Sequence, residues 1–155
     1  METKLQRALY QAAVRIFEEI CFMFEAPELE EEFKDAQVEA AASVEFSGPI
    51  EGRLLIKARA GLLSGIAANM LGEENPSKKQ QQDALGEIAN IICGNILPAI
   101  HGSKKVFEVT SPQIVKTENL LSKEAPTATA SVILDQGRAD LMLYVHETVV
   151  LAKES

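Results

Sequence analysis

The chain has 155 residues, 46% hydrophobic and 25% charged, with a formal net charge of −8. This length suits one core, so we predict a single domain spanning residues 1–155. The acidic balance argues against nucleic acid and anionic membranes, which attract clustered Lys and Arg. No apolar run approaches the roughly 20 residues of a membrane span, and the start does not resemble a secretory signal. We therefore expect a cytoplasmic protein without a membrane partner.

Few side chains suggest metal or thiol chemistry. Cys21 and Cys93 lie in apolar helical sequence, which predicts small buried side chains and no disulfide. His101 and His146 lack the spacing of metal ligands, so no metal site is predicted. The acidic run Glu28–Glu32 predicts a solvated turn, with an acidic docking surface as the alternative.

The first long helix is predicted from a cap and a periodic apolar face. Thr3 and Gln6 have capping-box spacing, which indicates a helix beginning there. Pro27 prevents the helix from continuing. Apolar residues between these limits recur at spacings of three and four and predict one buried face: Leu9, Ala12, Ala13, Ile16, Phe17, Ile20 and Phe24.

A β-hairpin and a short helix are predicted next. The segments Val38–Ser47 and Ile50–Ala60 are compatible with strands and are separated by Gly48–Pro49. The apolar segment Leu62–Leu71 predicts a short buried helix. Gly72 is well placed to reverse the chain at the end of that helix.

A second long helix precedes a strand-rich region. Ser77 and Gln80 repeat the capping-box spacing and predict a helix over about Lys78–His101, which Gly102 should close. Asp135–Gly137 is a natural tight connection between two strands. The predicted strands are Val106–Val109, Gln113–Thr117, Thr127–Leu134, Arg138–His146 and a short Thr148–Ala152.

This order of elements predicts the fold class. We expect an α+β domain in which two long helices pack on a largely antiparallel sheet. Helix and hairpin followed by helix and strands also suggest a pseudo-duplicated architecture, the diverged duplication of one α/β unit. No residue-level repeat in the sequence establishes that duplication.

The second long helix has two contrasting faces. At about 100° per residue, one narrow stripe is apolar: Leu85, Ile88, Ala89, Ile92 and Ile96. The opposite side carries Asp83, Glu87, Asn90, Gly94 and His101. Gly86 and Gly94 would let another backbone approach closely, which favours a docking surface, and Pro98 predicts a bend. The alternative is that Glu87 and Asn90 are ordinary solvated residues and the glycines pack against the first helix.

The same helix carries a recognisable pattern. Asp83–Asn90, followed by Ile91–Asn95, resembles the signature of the CheX, CheC and FliY family of chemotaxis phosphatases. That signature has Asp or Ser, three residues, Glu, two residues and Asn, then a proline a little over twenty residues on. Pro112 occupies about that place. The resemblance implies hydrolysis of the aspartyl phosphate on a CheY-like receiver domain of a response regulator.

The resemblance also implies roles for single residues. Glu87 would contact the active-site lysine of the partner, and Asn90 would orient the attacking water. We assign Asp83, Gly86 and Gly94 to partner binding. No cofactor of the chain's own is implied, since any Mg²⁺ would belong to the phosphorylated receiver domain. CheX-type relatives form homodimers through sheet edges, and the resemblance implies the same here.

One departure from the family favours a single active site. Family members with two sites carry a second Glu-x-x-Asn on the first long helix, where this chain has Phe17–Phe22. Neither Glu18 nor Glu19 is followed by Asn three residues later. A single-site, CheX-like arrangement therefore fits better than a CheC-like one. Two alternatives remain: a noncatalytic adaptor or flagellar-switch-related module, and a hydrolase that uses Cys93.

Overall fold

Two long helices and one antiparallel sheet make up most of the chain. The computed structural model describes residues 3–101, 107–116 and 124–147. The helices are α1 (Lys4–Cys21), α2 (Glu30–Phe33), α3 (Leu62–Leu71) and α4 (Lys78–His101). The strands are β1 (Val38–Ser47), β2 (Ile50–Arg59), β3 (Glu108–Val109), β4 (Gln113–Val115), β5 (Ala128–Leu134) and β6 (Gly137–Glu147). The predicted α+β class is confirmed.

Both long helices begin with the predicted capping boxes. At α1, the Gln6 N–H donates to Thr3 Oγ1 at 3.0 Å and the Thr3 N–H donates to Gln6 Oε1 at 2.9 Å. At α4, the corresponding bonds between Ser77 and Gln80 are 3.1 and 2.8 Å long. Each box satisfies backbone N–H groups that lack partners within the helix. Local sequence therefore fixes where both helices start.

The end of α1 differs from the prediction. The helix ends at Cys21, and Phe22 adopts a left-handed conformation with φ 56° and ψ 38°. Phe24 was predicted on the buried face but is 52% exposed, whereas Met23 is fully buried. The cause is a tertiary contact, because the Phe24 carbonyl accepts a hydrogen bond from the Asp135 N–H at 2.9 Å. The apolar spacing of the sequence therefore continues to Phe24, although the helix itself ends at Cys21.

The acidic run is more regular than predicted. Pro27–Leu29 forms a 3₁₀ turn, and α2 follows as a single helical turn. The glutamates of the run are exposed, as expected for solvated charge. The alternative of an acidic docking surface stays a prediction.

The sheet has the order β3-β1-β2-β6-β5, and β4 also pairs with the outer edge of β1. All of the described pairings are antiparallel, and the predicted hairpin of β1 and β2 is confirmed. The predicted connection at Asp135–Gly137 is also present. Gly137 has φ 149°, and a Cβ atom there would lie 2.6 Å from Leu62 Cβ. This turn therefore requires glycine.

The topology has the form that a duplicated unit predicts. The hairpins β1–β2 and β5–β6 meet at the centre of the sheet, where β2 pairs with β6. Helix α1 packs on β5, helix α4 packs on β1, and the two helices contact each other. Helix α4 therefore covers β1, the outer strand of the hairpin that follows α1. Helix α1 covers β5, the outer strand of the hairpin that follows α4.

Helix α4 is the central helix of the core. Over Lys78–Ile100 it is long and apolar enough, by length and composition alone, to cross a membrane, but half of the relevant window is buried in the fold. Core helices pass the same test. Pro98 lies inside the helix. The predicted stop at Gly102, the strand Thr148–Ala152 and the outer ends of two other predicted strands, Val106 and Thr117, lie outside the described residues.

Candidate active site

Helix α4 presents a polar pair opposite its buried stripe. Leu85, Ile88 and Ala89 are fully buried, whereas Glu87 and Asn90 are exposed. Residues three apart on a helix are neighbours on its surface, so the carboxylate and the carboxamide project side by side. The predicted outward-facing pair is therefore confirmed as a geometric feature.

Two grooves meet at Glu87. One, of about 390 Å³, is lined by Asp83, Glu87 and Asn90 of α4 and walled by Pro112 and Ile114. The other, of about 180 Å³, lies between Glu87 and the end of α3, where Leu71 borders it. Asp83 and Glu87 line both grooves, and Asn90 lines only the larger one.

The wall of the larger groove comes from the strands paired to β1. Ile114 of β4 lies opposite Ala42 of β1, and Ala42 faces the helices and is fully buried. Directly opposed residues on neighbouring strands point to the same face of a sheet, so Ile114 also points toward α4. Pro112 lies between β3 and β4, at the interruption of their pairing with β1. Helical periodicity could not have found Ile114, because it lies in a different element.

Gly86 is explained by a contact within the chain. It is buried, and a Cβ atom added there would lie 2.9 Å from Pro112 Cβ. The close approach that glycine permits is thus made by the chain's own Pro112. Gly94, by contrast, faces open space, with nothing within 4 Å of such a Cβ. Neither glycine packs against α1, and the roles of both in partner binding stay predictions.

A Gly86→Ala substitution should disturb both the groove and the packing beside it. The new methyl group would lie 2.9 Å from Cβ of the rigid Pro112 ring, so the segment that carries Pro112 must shift, and this cost exceeds the gain of up to about 1 kcal/mol in helix propensity. We expect the free energy of unfolding to fall by about 1–2 kcal/mol, and turnover in a phosphate-release assay to fall about tenfold. Urea unfolding and phosphate release measure the two effects.

Gly94→Ala is the matched control for stability. The added methyl group meets no neighbouring atom, so the free energy of unfolding should rise by up to about 1 kcal/mol. Full turnover by the Gly86→Ala variant would contradict the prediction, because it would show that the position of Pro112 in the groove does not affect the reaction.

Within the described residues, the side chains of Glu87 and Asn90 make no hydrogen bond or ion pair. Asn95, on the same helix, donates to the Ile91 carbonyl at 2.8 Å and accepts from Arg15 at 2.7 Å. Asn95 thus supports the packing of α4 against α1, whereas the carboxamide of Asn90 is left available to a ligand.

Asp83, the first residue of the signature, is already paired. Its carboxylate lies 3.1 Å from Lys79 Nζ, one helical turn away, and both side chains are mostly exposed. Such a surface pair contributes little to stability. It nevertheless offsets the charge of Asp83, whereas Glu87 has no ion-pair partner among the described residues. The assignment of Asp83 to partner binding stays a prediction.

The two thiols are buried, as predicted. Cys21 and Cys93 are fully buried, and burial raises the pKa of each thiol to about 12. The thiolate is the reactive form, so a pKa four units above pH 8 leaves only about one thiol in 10⁴ reactive. This environment is unfavourable for a cysteine nucleophile.

Alkylation tests that conclusion. With iodoacetamide at pH 8, neither Cys21 nor Cys93 of the folded chain should be labelled on the timescale that labels both in urea. Mass spectrometry distinguishes the two thiols. Rapid labelling of Cys93 in the folded chain together with loss of activity would instead support a thiol hydrolase.

A larger groove, of about 560 Å³, runs along α1 and includes Glu18, Glu19 and Tyr10. Tyr10 donates a hydrogen bond to Glu25, and this bond, with burial, raises the tyrosine pKa to about 12. Size alone does not identify a reaction site. No Glu-x-x-Asn motif lies along this groove, so we place the candidate active site on α4.

Of the two histidines, only His146 has a described side chain. His146 contacts Glu124, and the side chain of His101 lies outside the described residues. In the parts of the chain that the structure describes, no three His, Cys, Asp or Glu side chains are grouped to hold a metal ion.

The fold and the site define an α+β protein that presents an acid–amide pair from a core helix. Residues 40–135 match the family described as Chemotaxis phosphatase CheX, and the chain belongs to that family. A comparison with functionally described proteins gives no significant match.

Solved structures of similar fold include three proteins named CheX. The protein from Vibrio vulnificus is 17% identical, with a TM-score of 0.69 over 94% of this chain and 99% of that chain. The protein from Desulfovibrio desulfuricans is 13% identical, with a TM-score of 0.70 over 93% and 100%. A Borrelia burgdorferi CheX, solved in complex with CheY, BeF3 and Mg²⁺, is 16% identical, with a TM-score of 0.62 over 91% and 97%. These identities establish likeness of fold.

Proposed function

We propose that this chain is a phosphatase that accelerates hydrolysis of the aspartyl phosphate on a CheY-like receiver domain. The observation that carries the proposal is the exposed Glu87 and Asn90 pair, without intrachain partners in the described residues, in a chain of the CheX family. The solved complex of the Borrelia CheX with CheY supports the choice of partner.

The reaction requires little covalent chemistry from the enzyme. A water oxygen attacks phosphorus, the bond between phosphorus and the aspartyl oxygen breaks, and the partner recovers its carboxylate as inorganic phosphate leaves. The acyl phosphate is already activated, so catalysis consists mainly of alignment and electrostatic stabilisation. A fixed polar side chain on a rigid helix can supply the alignment.

Asn90 has the functional groups needed to align water. Its carbonyl oxygen accepts a hydrogen bond from the water, and its amide group can donate to an oxygen of the water or the phosphoryl group. A carboxylate could only accept, and an ammonium could only donate. Because α4 is anchored by a fully buried face, the backbone that carries the carboxamide is held in place before the partner arrives.

Glu87 anchors the partner in this proposal. Its carboxylate lines both grooves, has no ion-pair partner among the described residues, and would contact the active-site lysine of the receiver domain. The contact fixes the distance between Asn90 and the phosphoryl group. Mg²⁺, where required, is held by the receiver domain and neutralises charge on the phosphoryl oxygens.

The proposed homodimer has a suitable edge. β5 is an outer strand of the sheet, and only its end is met by another segment, where Glu25 bridges Leu134 within the described residues. An open strand edge can pair with a second copy. The homodimer and the cytoplasmic location both stay predictions.

The test is the lifetime of phosphate on a purified receiver domain from the same genome. Substoichiometric amounts of the chain should shorten the phosphate half-life at least tenfold, with repeated turnover. Binding of the phosphorylated receiver without any change in half-life would overturn the enzymatic proposal and favour a noncatalytic adaptor. Assaying every receiver domain of the genome identifies the substrate.

A further inference from the structure

Large apolar side chains are exposed at two places in the described residues. These side chains are Phe22, Phe24, Leu71 and Ile114. Phe22 and Phe24 lie at the end of α1. Leu71, 49% exposed, and Ile114, 39% exposed, border the two grooves that meet at Glu87.

We propose that Leu71 and Ile114 are specificity-determining contacts that bind the phosphorylated receiver domain on either side of Glu87, an inference that rests on the proposed function. The two residues come from different elements, the end of α3 and the strand β4, and each lines a different groove. The two grooves share Asp83 and Glu87, so acidic side chains of α4 separate the two apolar ones.

The size of a protein interface requires contacts beyond the catalytic pair. Specific complexes typically bury about 800 Å² on each partner, and transient ones somewhat less. Glu87 and Asn90 can supply only a small part of such an area. A globular partner that brings a phosphoryl group to Asn90 must also cover the rims of both grooves. Leu71 and Ile114 are the large apolar side chains on those rims, and burying them would contribute free energy of binding.

Charge favours a receiver domain over a lipid surface as the occupant. Glu87 lines both grooves and has no ion-pair partner among the described residues, and the chain has a formal net charge of −8. Anionic lipid headgroups would be repelled by this surface. A partner with a lysine beside its phosphorylation site, surrounded by apolar side chains, would match both the charge and the flanking contacts.

Both anchors are held by regular structure. Leu71 ends α3, where Gly72 adopts a left-handed cap and its N–H donates to the Ala68 carbonyl at 2.8 Å. Ile114 is fixed by the pairing of β4 with β1. Contacts that are ordered before binding lose little conformational entropy in the complex, which favours affinity.

The test compares Leu71→Gln and Ile114→Thr with the unaltered chain. Both variants keep the local propensity, for helix and strand respectively, while removing apolar surface. Each should raise KM for the phosphorylated receiver about five- to tenfold and leave kcat within about twofold. Phe24→Thr is the matched control, since Phe24 is 52% exposed and lines neither groove; KM of this variant should not change.

Measurements of binding affinity distinguish a failure of this inference from a failure of the proposed function. The affinity of each variant for the receiver domain activated with beryllofluoride and Mg²⁺ is measured without turnover, and circular dichroism verifies folding. If the unaltered chain binds but does not release phosphate, weaker binding by Leu71→Gln and Ile114→Thr supports the docking surface although the proposed function fails. Unchanged KM and affinity in both variants overturn the inference, as does a fall in kcat alone.

Discussion

Replacing Asn90 by alanine is expected to lower kcat for phosphate release by about 10²- to 10³-fold, the usual effect of removing one positioned polar group from a reaction site. The cause is loss of the carboxamide that aligns water, with no change in docking. Asn90 is exposed and makes no intrachain hydrogen bond in the described residues, so the free energy of unfolding should change by less than about 0.5 kcal/mol. Single-turnover kinetics with saturating enzyme measure the chemical step.

Asn95→Ala is the matched control. It removes an equivalent carboxamide from the same helix, but one that links α4 to Arg15 of α1. This variant should lose about 1 kcal/mol of stability and retain turnover. If Asn90→Ala released phosphate at the unaltered rate, Asn90 would have no catalytic role, and the site would have to be sought elsewhere.

Charge reversal at Glu87 should act on docking. Glu87→Lys places an ammonium group where the proposal requires a carboxylate against the partner's lysine. Loss of an interfacial charge pair costs about 2–5 kcal/mol, and like-charge repulsion adds to this cost. We expect KM for the phosphorylated receiver to rise at least about 100-fold. Titration calorimetry with the beryllofluoride-activated receiver measures the same change as a loss of affinity.

Glu18→Lys provides the control for this prediction. Glu18 is an exposed glutamate of α1 and borders the groove that lacks a Glu-x-x-Asn motif. Glu18→Lys changes the net charge by the same amount as Glu87→Lys. Any effect of net charge on association with the receiver domain should therefore appear in both variants. Turnover by Glu18→Lys should stay within about twofold. A loss as large as that of Glu87→Lys would contradict both the role of Glu87 and the prediction of a single site.

Local features could be predicted because their causes are local. The starts of α1 and α4 depend on side chains three residues apart, in the pairs Thr3 with Gln6 and Ser77 with Gln80. The end of α3 depends on Gly72, which adopts the left-handed conformation at no steric cost. The order of helices and strands follows from periodicity and turn residues.

Distant contacts explain what could not be predicted. Apolar spacing extends the buried face of α1 to Phe24, but the chain leaves the helix at Cys21 and Phe24 pairs with Asp135. Phe24 and Asp135 are 111 residues apart in the sequence, and the spacing of apolar residues along a helix cannot reveal a contact between such distant residues. In the same way, Gly86 was interpreted as an opening for a partner, whereas its neighbour is Pro112 of the same chain.

The sequence by itself determined that one face of α4 is apolar and that Glu87 and Asn90 project together from the opposite face. The reason is that about 100° per residue is a property of every α-helix, whatever surrounds it. Only the tertiary structure decided what surrounds the pair. The pairing of β4 with β1 brings Pro112 and Ile114 to one side of Glu87, and the packing of α3 brings Leu71 to the other. Because these positions depend on sheet register and helix packing, the acid–amide motif could be predicted, but its grooves and apolar rims could not.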